Sequence, residues 1–148
     1  MKKLLIVVLV LVLAALACIG GDSSEEKKPQ LKKSHIGDII QVEDHKIILN
    51  STEFTNDAFI ANCTIENVGS EELFVSSLLH FDAIDGEGTK LVPRDFCPTP
   101  FVERVQPGDK FRGNICFRAK PETELVKLYY TTGILSDDSV MWLSLIHI

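Results

Sequence analysis

Apolar residues alternate with polar ones along several segments of this chain, and this pattern predicts β-strands. Every second position is apolar over residues 59–65, and the same holds over residues 111–117, where Gly113 takes one of the apolar places. Side chains of a strand point alternately to its two faces, so a period of two describes a strand with one buried face. Within residues 35–142, no helical periodicity extends beyond about two turns. The sequence therefore predicts an all-β domain.

Turn sequences separate the predicted strands. Asn67-Val68-Gly69-Ser70 and Asp85-Gly86-Glu87-Gly88 supply residues that tolerate positive φ, and Pro107-Gly108 marks a third turn. From these signals we predict an immunoglobulin-like β-sandwich of seven or eight antiparallel strands over residues 35–142. Besides the two alternating segments, strands are predicted at residues 38–42, 46–54, 73–84, 89–92, 126–130 and 140–142.

The first part of the chain reads as an export signal. Lys2 and Lys3 precede an unbroken apolar run over residues 4–19, which is typical of a secretory signal peptide. The segment Ala15-Leu16-Ala17-Cys18 resembles a lipobox, in which cleavage falls before a cysteine that carries a diacylglyceryl group. We therefore predict a signal peptide over residues 1–18 that ends at a lipidated Cys18, and then a polar stalk over residues 19–34.

This anchor predicts that the domain lies on the outer face of the cytoplasmic membrane, with the membrane as a partner through the lipid. Two lipid chains, as a diacylglyceryl cysteine supplies, are enough for stable anchoring. Two alternatives remain open, namely an ordinary cleaved signal, which would give a secreted protein, and an uncleaved helix that acts as the anchor. All three place the domain outside the cytoplasm.

The last six residues match the translation of a known DNA sequence. Residues 143–148, Leu-Ser-Leu-Ile-His-Ile, match the translation of CTG-TCT-CTT-ATA-CAC-ATC, the end sequence of a transposase-based sequencing adapter. We therefore predict that this segment is an adapter artefact and leave it out of the fold argument. A genuine apolar final strand is the alternative.

The order of turns and strands carries a family resemblance. It runs through Ile36-Gly37-Asp38, the strand that leads into Asn67-Val68-Gly69-Ser70-Glu71, the turn Asp85-Gly86-Glu87-Gly88, and Val105-Gln106-Pro107-Gly108-Asp109 with the strand after it. This succession resembles the telokin-like, immunoglobulin-fold family of uncharacterised prokaryotic surface lipoproteins. The resemblance covers residues 36–130 and implies a β-sandwich on a lipid-anchored stalk. It implies no catalytic residues and leaves the function open.

Three cysteines remain when Cys18 is set aside, and strand parity selects a pair among them. Cys63 shares its strand face with apolar residues and should point into the core, whereas Cys116 lies on the face opposite the apolar residues of its strand. Cys97 sits in a proline-rich loop that can reach over such a surface. Disulfides persist in an exported domain. We predict a Cys97–Cys116 disulfide and a buried free thiol at Cys63.

Charge and motifs exclude several classes of function. Residues 35–142 hold nine Lys and Arg against eighteen Asp and Glu, a net charge of −9, which argues against a nucleic-acid partner. His45 and His80 have no converging ligand set for zinc, and Asp85-Gly86-Glu87 is better explained by a hairpin turn than by a calcium loop. The serines lack a Gly-x-Ser-x-Gly elbow. We predict no catalytic residue, no metal site, no cofactor and no enzymatic activity.

These observations favour a membrane-tethered, non-enzymatic binding module whose partner is an unknown surface protein or glycan. The predicted contact loop contains Phe96, Pro98, Pro100 and Phe101, because aromatic groups on a disulfide-pinned loop supply contact area at low entropic cost. Alternatively, Phe96 and Phe101 cap the open end of the core. A structural or accessory subunit of an envelope or transporter complex is the second function considered, and a small-ligand carrier or an enzyme is the third.

Overall fold

The computed structural model describes residues 31–132 and 139–145, and this part of the chain forms ten strands and one short helix. The predicted signal peptide, Cys18 and most of the predicted stalk lie outside the described residues. The strands are β1 (Leu31–Ser34), β2 (Ile39–Val42), β3 (His45–Phe54), β4 (Ala58–Asn67), β5 (Leu73–Ser76), β6 (Phe81–Asp85), β7 (Val102–Val105), β8 (Lys110–Arg118), β9 (Leu125–Thr131) and β10 (Ser139–Leu145); the helix is α1 (Ser77–His80).

Two four-stranded sheets pack face to face around one hydrophobic core. The first has the order β1-β10-β9-β6 and the second the order β2-β3-β4-β8, while β5 and β7 form a separate two-stranded sheet. The β1–β10 pair is parallel, and the other strand pairs are antiparallel. Inward-facing side chains of both four-stranded sheets belong to the same buried cluster. The predicted all-β sandwich is confirmed, with more strands than the seven or eight expected.

The predicted strands differ from the observed ones in four places. The predicted strand over residues 73–84 is broken by α1, since Ser76-Ser77 interrupts the alternation and Leu78 and Leu79 face solvent. Residues 89–92 form only an isolated bridge, between Lys90 and Ile84. β7 went unpredicted because Val-Glu-Arg-Val carries little alternation, and β1 occupies the last four residues of the predicted stalk.

Strand register defines two ends of the sandwich, which we call proximal and distal. Leu31, where the described chain begins, pairs with Ser139, and Ser139 pairs with Thr131 at the last residue of β9. The β8–β9 connection joins the other end of β9, at Leu125. Six residues of extended chain separate Leu125 from Thr131, about 20 Å at 3.3 Å per residue. The proximal end therefore receives the N-terminal segment, and the distal end holds the β3–β4 and β8–β9 connections.

A histidine and a tyrosine join the two sheets inside the core. His45 and Tyr130 are both buried, and 2.7 Å separates the His45 Nε2 atom from the Tyr130 hydroxyl oxygen. On the other side of the ring, His45 Nδ1 lies 3.3 Å from a carboxylate oxygen of Asp44. A carboxylate only accepts, so Nδ1 donates to Asp44. Burial favours the neutral ring, and in that form Nε2 carries no proton and accepts from the tyrosine hydroxyl.

We expect His45 to make the fold sensitive to mild acid. Burial disfavours the charged ring and lowers the His45 pKa below its ordinary value of 6.5, although Asp44 and Glu43 oppose this and His80 adds to it. The unfolded chain then binds a proton more readily, so the free energy of unfolding falls as the pH drops below about 6.5. Urea denaturation between about pH 7.5 and 5.5 measures this slope, which His45→Gln should flatten.

The matched control for this prediction is His35→Gln. The His35 side chain is exposed and pairs only with Asp38 at the surface, so this variant should keep the pH dependence of the parent protein. An unchanged slope in His45→Gln would mean that another group controls the response to acid.

β10 completes the core with large side chains. Trp142 is fully buried, and Val140 and Met141 are also buried. The strand continues through Leu145, and the Ser144 hydroxyl lies 2.7 Å from the Thr52 hydroxyl of β3. Residues 143–145 are thus compatible with the sandwich as a strand, and their origin from an adapter stays a prediction.

A candidate binding groove at the distal end

The segment that connects β6 to β7, residues 86–101, covers the free edge of β8, and we call it the covering loop. Its backbone follows β8 through four hydrogen bonds, in which Arg94 N donates to Cys116 O, Arg118 N to Val92 O, Phe101 N to Asn114 O and Asn114 N to Thr99 O, at 2.7–2.9 Å. The side-chain amide of Asn114 also donates, through Nδ2, to the Pro98 carbonyl oxygen at 2.7 Å. Edge strands expose unpaired backbone groups, so this loop satisfies groups that β8 would otherwise leave open.

The predicted disulfide fastens the covering loop. Cys97 and Cys116 are bonded, with a Cα–Cα distance of 5.6 Å. Cys63 is free and fully buried, and burial raises the pKa of its thiol. Parity arguments on β4 and β8 therefore gave the right pairing. A neutral thiol enclosed by the core is chemically inert.

Phe101 does not belong to the contact surface, and that part of the prediction was wrong. Its side chain is fully buried, with its ring 5.4 Å from the rings of both Phe81 and Phe111. Gly113 makes the room for it, since a Cβ at that position would lie 3.0 Å from the Phe101 Cα atom. Phe101 thus fills the gap that glycine leaves in the apolar face of β8, so the alternative of a core cap holds for Phe101 but not for Phe96.

Phe96 remains at the surface. Its side chain is 80% exposed, the largest exposure among the large apolar residues of the described chain. It precedes Cys97, so the disulfide holds the backbone beneath it. Pro98 and Pro100 are also exposed and belong to the turn that leads back to Phe101. Phe96, Pro98 and Pro100 are thus exposed, and their role in a contact surface stays a prediction.

A groove of about 690 Å³ opens beside Phe96 at the distal end, and we call it the distal groove. Its walls come from three separate connections, which are the β3–β4 turn, the covering loop and the β8–β9 turn. Leu91 and Ala119 are buried at its base, whereas Val92 and Phe96 stand exposed at its side. Its size falls within the range of about 300–1,000 Å³ typical of small-ligand sites.

Charged side chains of both signs surround this groove. The Arg94 guanidinium forms a bidentate pair with Asp57, in which one terminal nitrogen lies 3.2 Å from one carboxylate oxygen and the other lies 3.1 Å from the second. Arg118 pairs with Asp95 at 3.5 Å. Lys90 pairs with Asp82 at 2.7 Å, just beyond the groove. These pairs place cationic donors and carboxylate acceptors side by side around the opening.

The other candidate constellations have structural roles. One Asp85 carboxylate oxygen accepts the backbone N–H groups of Glu87 and Thr89, at 3.0 and 2.8 Å, which is the turn expected there. His80 Nδ1 lies 3.1 Å from the backbone nitrogen of Ser76. In residues 31–132 and 139–145, no three His, Cys, Asp or Glu side chains converge as metal ligands would. Over the same residues, no helix has the length and apolarity to cross a membrane.

Sequence reasoning missed the charged members of the distal groove. Asp57 and Arg94 are 37 positions apart and occupy different connections, so no local pattern links them. One signal could have pointed to the groove. Residues 55–57, 93–96 and 119–123 are all connections that lie next to a predicted strand end. Only the strand order, which brings these connections to the same end of the sandwich, reveals their proximity.

The fold and the groove define a β-sandwich with an open groove at one end. The chain belongs to a family described as a domain of unknown function, DUF4352, whose model matches residues 34–140. A search of curated proteins found no match to this chain.

Solved structures with the same fold come from several bacteria. An uncharacterized β-sandwich protein from Clostridium difficile 630 is 16% identical with a TM-score of 0.57, over 80% of this chain and 97% of that one. The secreted protein MPT63 from Mycobacterium tuberculosis is 12% identical with a TM-score of 0.58, over 78% and 98%. The candidate lipoprotein ycdA from Bacillus subtilis is 16% identical with a TM-score of 0.60, over 72% of this chain and 38% of that one. At these identities the likeness concerns the fold.

Proposed function

We propose that this protein is a non-enzymatic binding module, held at the cell surface by a lipid on Cys18, and that the distal groove is its binding site. The observation that carries the proposal is the position of the groove. It opens at the end of the sandwich opposite Leu31, where the N-terminal segment joins the fold. A domain tethered through that segment would present the groove away from the membrane.

The surface location is supported by two independent features. The first is the N-terminal sequence, with its cationic start, its apolar run and the cysteine after Ala17. The second is the set of proteins with a similar fold, since one structural neighbour is a secreted protein and another is a candidate lipoprotein. The resemblance to telokin-like surface lipoproteins agrees with both and is part of this proposal. The Cys97–Cys116 disulfide suits an oxidising compartment.

Thiol labelling on intact cells tests the location and the orientation together. A cysteine introduced at the surface would be the reactive thiol of the described domain, because Cys97 and Cys116 are bonded and Cys63 is buried. We expect a bulky, membrane-impermeant maleimide to label Glu122→Cys, at the distal end, faster than Ser70→Cys, at the proximal end. In detergent the two exposed sites should react at equal rates.

The intact mass of the membrane-bound chain completes this test. A diacylglyceryl increment that is absent from Cys18→Ser establishes the anchor. Labelling that requires cell lysis would refute the surface location, and faster reaction of Ser70→Cys would refute the orientation.

A second candidate function is that of an accessory subunit in an envelope or transporter complex. It is favoured by the free edges of the sandwich, since β1 and β2 are terminal strands of their sheets within the described residues. A partner strand could pair with such an edge. This mode would not depend on the distal groove, so loss of Phe96 would leave it intact.

A further inference from the structure

We propose that the distal groove binds an uncharged glycan segment, which stacks on Phe96 and exchanges hydrogen bonds with the Asp57–Arg94 pair. This inference names a ligand class for the proposed binding site and so rests on the proposed function. It is carried by the charge balance of the groove, by the chemistry of its polar groups and by the exposed ring at its side.

The charges around the groove balance. Four cationic side chains line it, and three of them are paired with the carboxylates of Asp57, Asp82 and Asp95. Lys120 and Asp85 line the same groove, and the Asp85 carboxylate already receives two backbone N–H groups. The four cations are thus matched by the three carboxylates of the lining, Asp57, Asp85 and Asp95, and by Asp82 just beyond it. The groove therefore offers little net attraction to a polyanion or a polycation. The chemistry therefore favours a polar ligand without net charge.

The polar groups of the groove are both donors and acceptors. The Arg94 guanidinium has five N–H donors, and Asp57 accepts one from each of two nitrogens, so three remain for a ligand. Each carboxylate oxygen also retains accepting capacity. Sugar hydroxyls donate and accept at once, so a hydroxyl can bridge both members of such a pair. The pair also keeps each side chain in place before binding, which lowers the entropic cost of association.

Phe96 supplies the apolar surface that a glycan ring needs. An aromatic face carries a negative quadrupole and attracts the C–H bonds on one side of a sugar ring. The ring of Phe96 is 80% exposed, and the disulfide at the next residue fixes its backbone. The ring is therefore available to a ligand while the backbone beneath it is held by the disulfide.

The test uses the full chain in detergent micelles on an array of immobilised oligosaccharides. Maltotetraose, cellotetraose and chitotetraose are the neutral probes, and tetragalacturonate and an acidic peptide are the charged ones. We expect at least one neutral probe to bind, with an affinity that changes little between about 0.05 and 0.5 M NaCl, because no net charge is screened. Phe96→Ala should weaken this binding by about tenfold or more.

Matched variants separate stacking from general surface effects. Phe74 is another exposed phenylalanine, on β5 and away from the groove, so Phe74→Ala should bind as the parent does. Phe96→Trp should retain binding because it keeps an aromatic face. Asp57→Asn should weaken it, since that change removes a charge from the pair but leaves the volume.

Three results would overturn the glycan assignment. They are the absence of binding to every neutral probe, binding of the charged probes alone with a steep salt dependence, and equal binding by the parent and Phe96→Ala. If a charged probe binds and this binding needs Phe96, the groove is a site and only the ligand class is wrong. If no probe depends on Phe96, the groove itself is refuted as the binding site.

Discussion

We expect Phe101→Ala to lower the free energy of unfolding by about 3–5 kcal/mol, while Phe96→Ala changes it by less than about 0.5 kcal/mol. Both residues are phenylalanines of the same loop, but Phe101 is fully buried against Phe81 and Phe111, and Phe96 is 80% exposed. Truncating Phe101 leaves a cavity beside Gly113, which has no side chain to fill it. Urea denaturation of the two variants measures both values.

Phe101→Leu is the control that keeps the site apolar and leaves a smaller cavity than alanine does. It keeps an apolar side chain in the slot, so it should cost less than the alanine variant, in line with the smaller cavity. Equal losses for Phe96→Ala and Phe101→Ala would contradict the division of the loop into an anchor and an exposed platform. A large loss at Phe96 alone would mean that this ring packs on the domain in solution and is not free to bind.

The two phenylalanines also show where sequence reasoning ends. Both occur in the same proline-rich stretch, and composition alone does not tell which of them is exposed and which is buried. The difference depends on Gly113, which is 12 positions after Phe101 and on the strand that the loop covers. The sequence shows a glycine at an apolar position of an alternating strand. It does not show which side chain packs against that glycine, because this depends on tertiary contacts.

Local pattern succeeded where a strand buries one face and exposes the other. β4 buries every second side chain from Phe59 onward, and residues 111, 113, 115 and 117 share one face of β8. The inward direction of Cys63 and the Cys97–Cys116 pairing therefore followed from parity. β1 and β7 are short and mostly exposed, and each acquires its strand conformation from a distant partner. Such strands leave no apolar signal in the chain. The groove eluded prediction for the same reason, because three connections distant in sequence build it.

We expect the double variant Cys97→Ser/Cys116→Ser to lose about 3 kcal/mol of stability. The bond closes a loop with a sequence separation of 19 residues, and the chain-entropy model assigns about 3 kcal/mol to a loop of this size. For a domain of roughly 100 residues this corresponds to a decrease in Tm on the order of 10–20 °C. Thermal unfolding with and without reductant measures the effect. Reductant should lower the Tm of the parent protein and leave that of the double variant unchanged.

The loss should be concentrated at the edge of β8. The Asn114 and Arg118 amides donate to the covering loop, so their hydrogen exchange should accelerate in the double variant, whereas the core amides of β4 should change only with global stability. Cys63→Ala is the matched control, since it removes the buried free thiol and should respond to reductant as the parent does. A double variant with an unchanged Tm and protected Asn114 would mean that hydrogen bonds alone hold the loop. Slower exchange at the edge than in the parent would contradict the covering role altogether, and with it the rigid platform that Phe96 needs for binding.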